Sequence, residues 1–269
     1  MATLLESNKT KIAKRVIEVF EFFDETNAKA TVMDIVRRYR RPQSSTSELL
    51  ASLVEMGLLY KDARSRSYSP TPRLATLGTA AQPEIIRDGR LFAFMDRLAF
   101  STRHAVALFG MIGTHAQIFR WSPGSDDATR DLGCGASQPL SASAAGLLLL
   151  STYSNDHAGR MLWRLNAEAP DGAKFNPAEL RDRVADYRRQ GHATGAAGFV
   201  PAVRLTATLL PCTTHERPLA LGVFHPDAAA VDTDALVATL GRGIAQCASP
   251  EEETGALAAA GPFMMAVAG

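Results

Sequence analysis

The chain has 269 residues, 46% apolar and 21% charged, a composition that suits a globular protein of two domains at roughly 100–200 residues each and excludes disordered and collagen-like classes. Three cysteines are too few for a disulfide framework or a four-thiolate zinc site. The formal charge of +1 hides a division: residues 1–80 carry 13 Lys+Arg against 9 Asp+Glu, a net of +4, and residues 81–269 carry 16 against 19, a net of −3. A basic head precedes an acidic body. Met1 to Thr10 is polar and lacks the apolar core of a leader. The densest apolar run, Ala142 to Leu150, is about half of the ~20 residues a bilayer crossing needs and reads as a buried helix. The expectation is a cytoplasmic protein with reduced thiols and no membrane partner.

In the head, Ile12, Val16, Val19, Phe20 and Phe23 recur at spacings of three and four and predict a helix from Lys9 to Asp24, its start crowded by Lys9, Lys11, Lys14 and Arg15. Thr31 suits the N-cap of a second helix through Val32, Ile35 and Val36 to Tyr39. Arg40-Arg41-Pro42 breaks it, because proline disfavours helical geometry in the residue before it. A third helix is expected from Ser44 or Ser45, with Leu49, Leu50 and Leu53 inward and Gly57 as its left-handed stop. Two short helices and a tight turn match a helix-turn-helix. Leu58 to Tyr60, the polar stretch Lys61 to Ser67 and a second extended run from Tyr68 then read as the wing of a winged helix, with Arg64 and Arg66 at its tip.

These residue types fit duplex DNA. Gln43, Ser44, Ser45 and Ser47 would lie at the start of the third helix, where amide and hydroxyl groups reach base edges in a major groove and the helix N-terminus favours phosphate. Arg40, Arg41, Arg64 and Arg66 would neutralise backbone phosphates on either side. A solvated basic surface on a protein-binding helical module is the alternative.

The segment RPQSSTSELLASLVEMGLL from Arg41 to Leu59 resembles the recognition-helix region of IclR-type transcriptional regulators. The run YSPTPRLATLG from Tyr68 to Gly78 resembles the end of that family's wing and the entry to its linker helix. The chain departs from the family at Arg40-Arg41, where Gly-Leu is usual, and at Glu48, where an arginine is usual. The resemblance implies an α+β architecture: a winged helix-turn-helix at 1–78, a linker and dimerisation helix at 79–101, and a GAF-like α/β effector-binding domain at 102–248. The implied partners are double-stranded operator DNA, a small organic or aromatic acid, and further copies of the chain as a homodimer or dimer of dimers. The tail 249–269, three acids followed by aperiodic small residues, is expected to be poorly ordered and dispensable.

In the body, Pro83 opens a helix running through Ile85, Ile86, Phe92, Phe94, Met95, Leu98 and Phe100. It is more apolar than a helix buried on one side requires, so it is expected to pack between domains or protomers; an ordinary core helix is the alternative. Ala105 to Ile112 and His115 to Trp121 predict a hairpin across Gly113-Thr114. Pro139 to Gly146 predicts a small-residue helix resembling the family's Pro-Leu-His-Ala-Thr-Ala-x-Gly-Lys, with Ser141 in place of the histidine and Leu147 in place of the lysine. Further helices are expected at Asp156 to Leu165, Pro177 to Gln190 and Thr233 to Cys247, and strands at Val203 to Pro211 and Leu219 to Phe224.

No P-loop, dinucleotide-binding glycine motif, His-Glu-x-x-His or Gly-x-Ser-x-Gly is present, so no catalytic residue, metal or cofactor is assigned. Cys134, between Gly133 and Gly135 in a loop expected to precede a helix, is the sharpest exception; a helix N-terminus would activate its thiol. A thiol-dependent enzyme is therefore the rival, against a small residue that lines a pocket or packs in the core. Cys212, at a strand end, and Cys247 read as core residues. The histidines, including His104, His115, His215 and His225, read as surface residues. Carried over from the family by position, the effector pocket would involve Gly133, Cys134, Ser141, Ser143 and Cys212. Gly195-Ala-Ala-Gly198 stands where the family often has an acid, which points to a larger or more apolar ligand.

Overall fold

The computed structural model describes residues 8–23, 27–212, 217–227 and 231–249. Two compact units divide the chain, Met1–Gln82 and Pro83–Gly269.

In the first unit, helix α1 spans Asn8–Glu21, α2 Val32–Tyr39 and α3 Gln43–Glu55. Thr31 caps α2 with a full capping box. Its hydroxyl accepts the Asp34 N–H, and the Asp34 carboxylate accepts the Thr31 backbone N–H at 2.8 Å. That backbone bond, with the Thr31 hydroxyl, holds the Asp34 carboxyl below the usual carboxylate range. α3 begins at Gln43, ahead of the expected Ser44 or Ser45. The Ser45 and Thr46 hydroxyls donate back to the Pro42 carbonyl, at 3.3 and 2.8 Å, instead of capping forward. Gly57, at φ +69°, stops the helix as expected. Strands β1 (Leu59–Lys61) and β2 (Tyr68–Pro70) pair antiparallel, and Ala30 bridges to Tyr68. The core is Val19, Ala30, Ile35, Leu50, Leu53, Leu59 and Tyr68. Ile12 departs from the expected stripe: it is 57% exposed, a turn beyond the packed part of α1. Helix α4, Arg73–Gly78, follows the wing.

The second unit is a six-stranded antiparallel sheet in the order β5-β4-β3-β8-β7-β6. Its strands are β3 Val106–Ile112, β4 His115–Ser122, β5 Ser137–Pro139, β6 His192–Ala196, β7 Val203–Leu209 and β8 Leu219–Pro226. The hairpin turns at Gly113, φ +60°. Strand alternation divides the side chains between two layers. One face buries Phe109, Ile118, Leu205 and Phe224 against α7 (Ala144–Leu150), α8 (Asn155–Glu168) and α9 (Pro177–Gln190). The other buries Val106, Leu108, Leu221 and Val223 against α6 (Arg90–Thr102) and α10 (Thr233–Ala248). Every residue of α7 is buried, as the apolar run implied.

Two expectations are corrected. The helix from Pro83 is broken: α5 (Glu84–Arg87) ends at Asp88-Gly89, where Gly89 takes φ +78° and the Asp88 carboxylate accepts the Arg90 N–H, and α6 restarts there. One side of α6, with Leu91, Met95, Leu98 and Ala99, is buried against its own sheet, and Phe100 is 89% exposed. Pro139–Gly146 is not one helix. β5 runs into a single 3-10 turn, Leu140–Ala142, before α7 begins at Ala144. A Cβ at Gly146 would collide with the Leu140 carbonyl, so only glycine lets the turn lie on the helix. The tail beyond Ser249 and the loop positions 213–216, His215 among them, lie outside the described residues.

Candidate functional site

On α3 the local fold turns its first polar residues outward: Gln43, Ser44, Ser47 and Glu48 are exposed, while Thr46, Leu50 and Leu53 face the core. Ser45 is half-buried and accepts a hydrogen bond from Arg15 Nη2 at 3.2 Å. The turn before the helix separates the two expected arginines. Arg40 is exposed and closes α2 in the left-handed region, φ +51°. Arg41 gives both Nη2 and Nε to the Glu18 carboxylate, at 2.7 and 3.2 Å. At the wing tip, Asp62 Oδ1 accepts the N–H groups of Arg64 and Ser65, at 2.8 and 3.2 Å. Those bonds, Ser65's first, hold its carboxyl below the usual range. Arg66 sits at φ +54°, and both wing arginines are exposed. The exposed start of α3 thus follows a turn that exposes Arg40, and the wing exposes Arg64 and Arg66.

In the second unit the five expected effector residues have different surroundings. Cys134 is exposed in a turn held by the Gly135 N–H to the Ile118 carbonyl, 2.8 Å, and by Gln117 Nε2 to the Gly135 carbonyl, 3.0 Å. The turn leads into β5, and the next α-helix begins only at Ala144, so Cys134 does not directly precede a helix in the chain. That exposure does not fit a core position for Cys134. Ser143 is buried and spends its hydroxyl as the N-cap of α7, accepting the Gly146 N–H at 3.1 Å. Ser141 lies half-buried in the 3-10 turn, and Cys212 is exposed rather than core. Cys247 is buried, as expected. Two surface clefts of about 720 and 300 Å³ adjoin Ser122 to Ser125, and none of the five residues lines either.

One face of the sheet carries an aromatic cluster. Trp121 meets Phe224 edge-on with centroids 5.2 Å apart, and Phe109, Phe199 and Phe224 lie mutually within 6.0–6.3 Å. Leu132 and Ala136, bracketing the Gly133–Cys134 turn, pack on the same core. Beside Ala197, the buried Gln138 donates to the Ala197 carbonyl at 2.8 Å, and its Oε1 has no partner among the described residues. A Cβ at Gly198 would meet that oxygen and the Ala142 carbonyl.

His225 corrects another expectation: it is 3% exposed, its Nε2 lies 3.0 Å from the Thr206 hydroxyl, and Thr206 in turn meets Thr194 at 3.0 Å. The His104 ring is 6.5 Å away. Burial pushes the His225 imidazole below its ordinary value. Among the described residues no group of three or more His, Cys, Asp or Glu side chains is placed to hold a metal ion. Among the described residues no helix is long and apolar enough to cross a membrane.

Residues 13–63 match the family model of the IclR helix-turn-helix domain, the segment that carries the exposed face of α3. The chain has the architecture of an IclR-family transcriptional regulator. It is similar to the IclR transcriptional regulator of Alicyclobacillus acidocaldarius, at 18% identity over 90% of this chain and 97% of that one, TM-score 0.57. An IclR homologue of Microbacterium hydrocarbonoxydans, solved in complex with 4-hydroxybenzoate, is 19% identical over 88% of this chain and 97% of that one, TM-score 0.57. The IclR protein of Thermotoga maritima is 14% identical over the same shares, TM-score 0.57. No curated protein matches the chain.

Proposed function

We propose that this IclR-type chain is a cytoplasmic transcriptional regulator, not an enzyme, that binds operator DNA through the head and answers to a small organic or aromatic acid in the body. One observation carries the DNA half: the exposed, polar start of α3 together with Arg40 and a wing tipped with Arg64 and Arg66. Gln43, Ser44 and Ser47 offer base-edge donors and acceptors, and the arginines offer phosphate contacts. Glu48 reads a cytosine amino group or stands clear of the backbone. The aromatic floor of Phe109, Trp121 and Phe224 supports an aromatic acid, as does the 4-hydroxybenzoate bound by the Microbacterium relative. The Gly133–Cys134 turn and Ser141 would form its rim.

In this proposal residues 1–78 are the DNA-binding domain, 79–101 the linker and 102–248 the effector domain. The protein acts as a homodimer or dimer of dimers, two heads reading two half-sites. The effector shifts DNA affinity only so far as it binds the two arrangements differently. The test is selection from a random duplex pool, with and without a panel of aromatic and aliphatic acids. Enrichment of a two-half-site sequence that one acid abolishes or enhances supports the proposal. No enrichment under any condition refutes it.

A further inference from the structure

We infer that the basic face of α1, through Lys11, Lys14 and Arg15, grips the DNA backbone beside the recognition helix, and that Arg41 is a positioning residue instead of a phosphate contact. This rests on the DNA-binding proposal above and names the phosphate site within it.

Spacings of three and four put Lys11, Lys14, Arg15 and Glu18 along one side of α1. At one end of this row Glu18 takes both nitrogens of the Arg41 fork. The Glu18 side chain is only 14% exposed, so pulling Arg41 away toward a phosphate would strand a mostly buried carboxylate. Arg41 therefore ties α1 to the turn ahead of α3. At the other end, Lys11 and Lys14 are exposed, and Arg15 reaches Ser45 in the first turn of α3. These three cations, with Arg41, Pro42 and Ser45, line a groove of about 600 Å³.

The groove meets α3 at its start. Pro42, the N-cap, supplies no side-chain hydrogen bond there, so no capping side chain competes for the N–H groups of the first turn. Point charges around an uncapped start of a 13-residue helix suit a phosphodiester oxygen. The position also fits the partner: a phosphate held there would fix the register of Gln43 and Ser47 on the bases.

The test uses the full-length protein and random-sequence duplex DNA, titrated across salt concentrations. Each phosphate contact adds about 0.9 to the slope of log affinity against log salt. The triple variant Lys11→Gln, Lys14→Gln, Arg15→Gln is expected to lose roughly 2–3 of that slope and to bind every sequence more weakly, with the same preferred sequence on selection. A triple variant that keeps the wild-type slope overturns the clamp. The double variant Glu18→Met, Arg41→Met removes the ion pair without changing net charge and is expected to keep the slope; a fall of about 1 assigns Arg41 to the phosphates and overturns its positioning role. A wild-type protein that shows no salt-dependent duplex binding fails earlier, and refutes the DNA-binding proposal itself.

Discussion

The two units place their candidate binding groups in opposite ways. The head displays its polar groups outward from one helix start, so Gln43, Ser44 and Ser47 touch little of the protein. The body encloses its groups: Phe109, Trp121, Phe224 and Gln138 come from four different strands, the three aromatic rings packing together and Gln138 buried on the Ala197 carbonyl. Substitution on the head's reading face should therefore alter recognition without altering stability, while substitution in the body's floor alters both. Regulation through such a pair of units asks the enclosed site to change while the exposed one stays intact.

The largest effect expected lies in the supports, not the surfaces. Leu53→Ala removes a side chain that is 0% exposed and should cost the head about 2–5 kcal/mol, read as a lower urea midpoint for DNA-binding activity. If the body's near-UV signal melts in parallel with it, the two units are not separate in stability. Gly146→Ala should cost roughly 1–3 kcal/mol by forcing the Leu140 turn off α7, measured as a lower melting temperature of the body. An unchanged melting temperature would mean that the turn yields freely. Gln43→Ala or Ser47→Ala should leave urea unfolding within about 0.5 kcal/mol yet relax discrimination at one base pair by roughly 1–3 kcal/mol; equal losses on all sequences would demote them to positioning contacts.

Thr31→Ala should cost about 1 kcal/mol. It should also flatten the acid limb of stability. The folded-state Asp34 carboxyl lies below its ordinary value, so its contribution is present above the ordinary carboxylate pKa and is lost as pH falls through the folded value. The smallest effect concerns His225, held neutral by burial below its ordinary 6.5. The unfolded chain takes up the proton first, so stability should fall as pH drops from 6.5 toward the lower folded value. His225→Gln should remove that slope; a wild-type profile flat across this range would contradict the burial argument.

The same contrast decides what was legible in the sequence. Caps, breaks and stripes are local, so Thr31, Gly57, the hairpin and the Pro177–Gln190 helix are readable, and α9 matches its expected span end to end. The enclosed site is not local. β6, with the sequence His-Ala-Thr-Gly-Ala, has no apolar alternation and is a strand only because β7 pairs along it, Thr194 opposite Thr206. Gln138 gains its meaning from Ala197, 59 positions away. His225 looks like a strand-end surface residue until Thr206 and His104 stand beside it. Even in the head, nothing local shows that Arg41 pairs with Glu18, on another helix.

The most direct test is binding of the full-length protein to its selected duplex across salt, with and without an aromatic acid such as 4-hydroxybenzoate. The account predicts a steep negative slope of log affinity against log salt, and an acid that shifts affinity while leaving the preferred sequence unchanged. Salt-insensitive binding, or the same affinity with every acid tried, would contradict it.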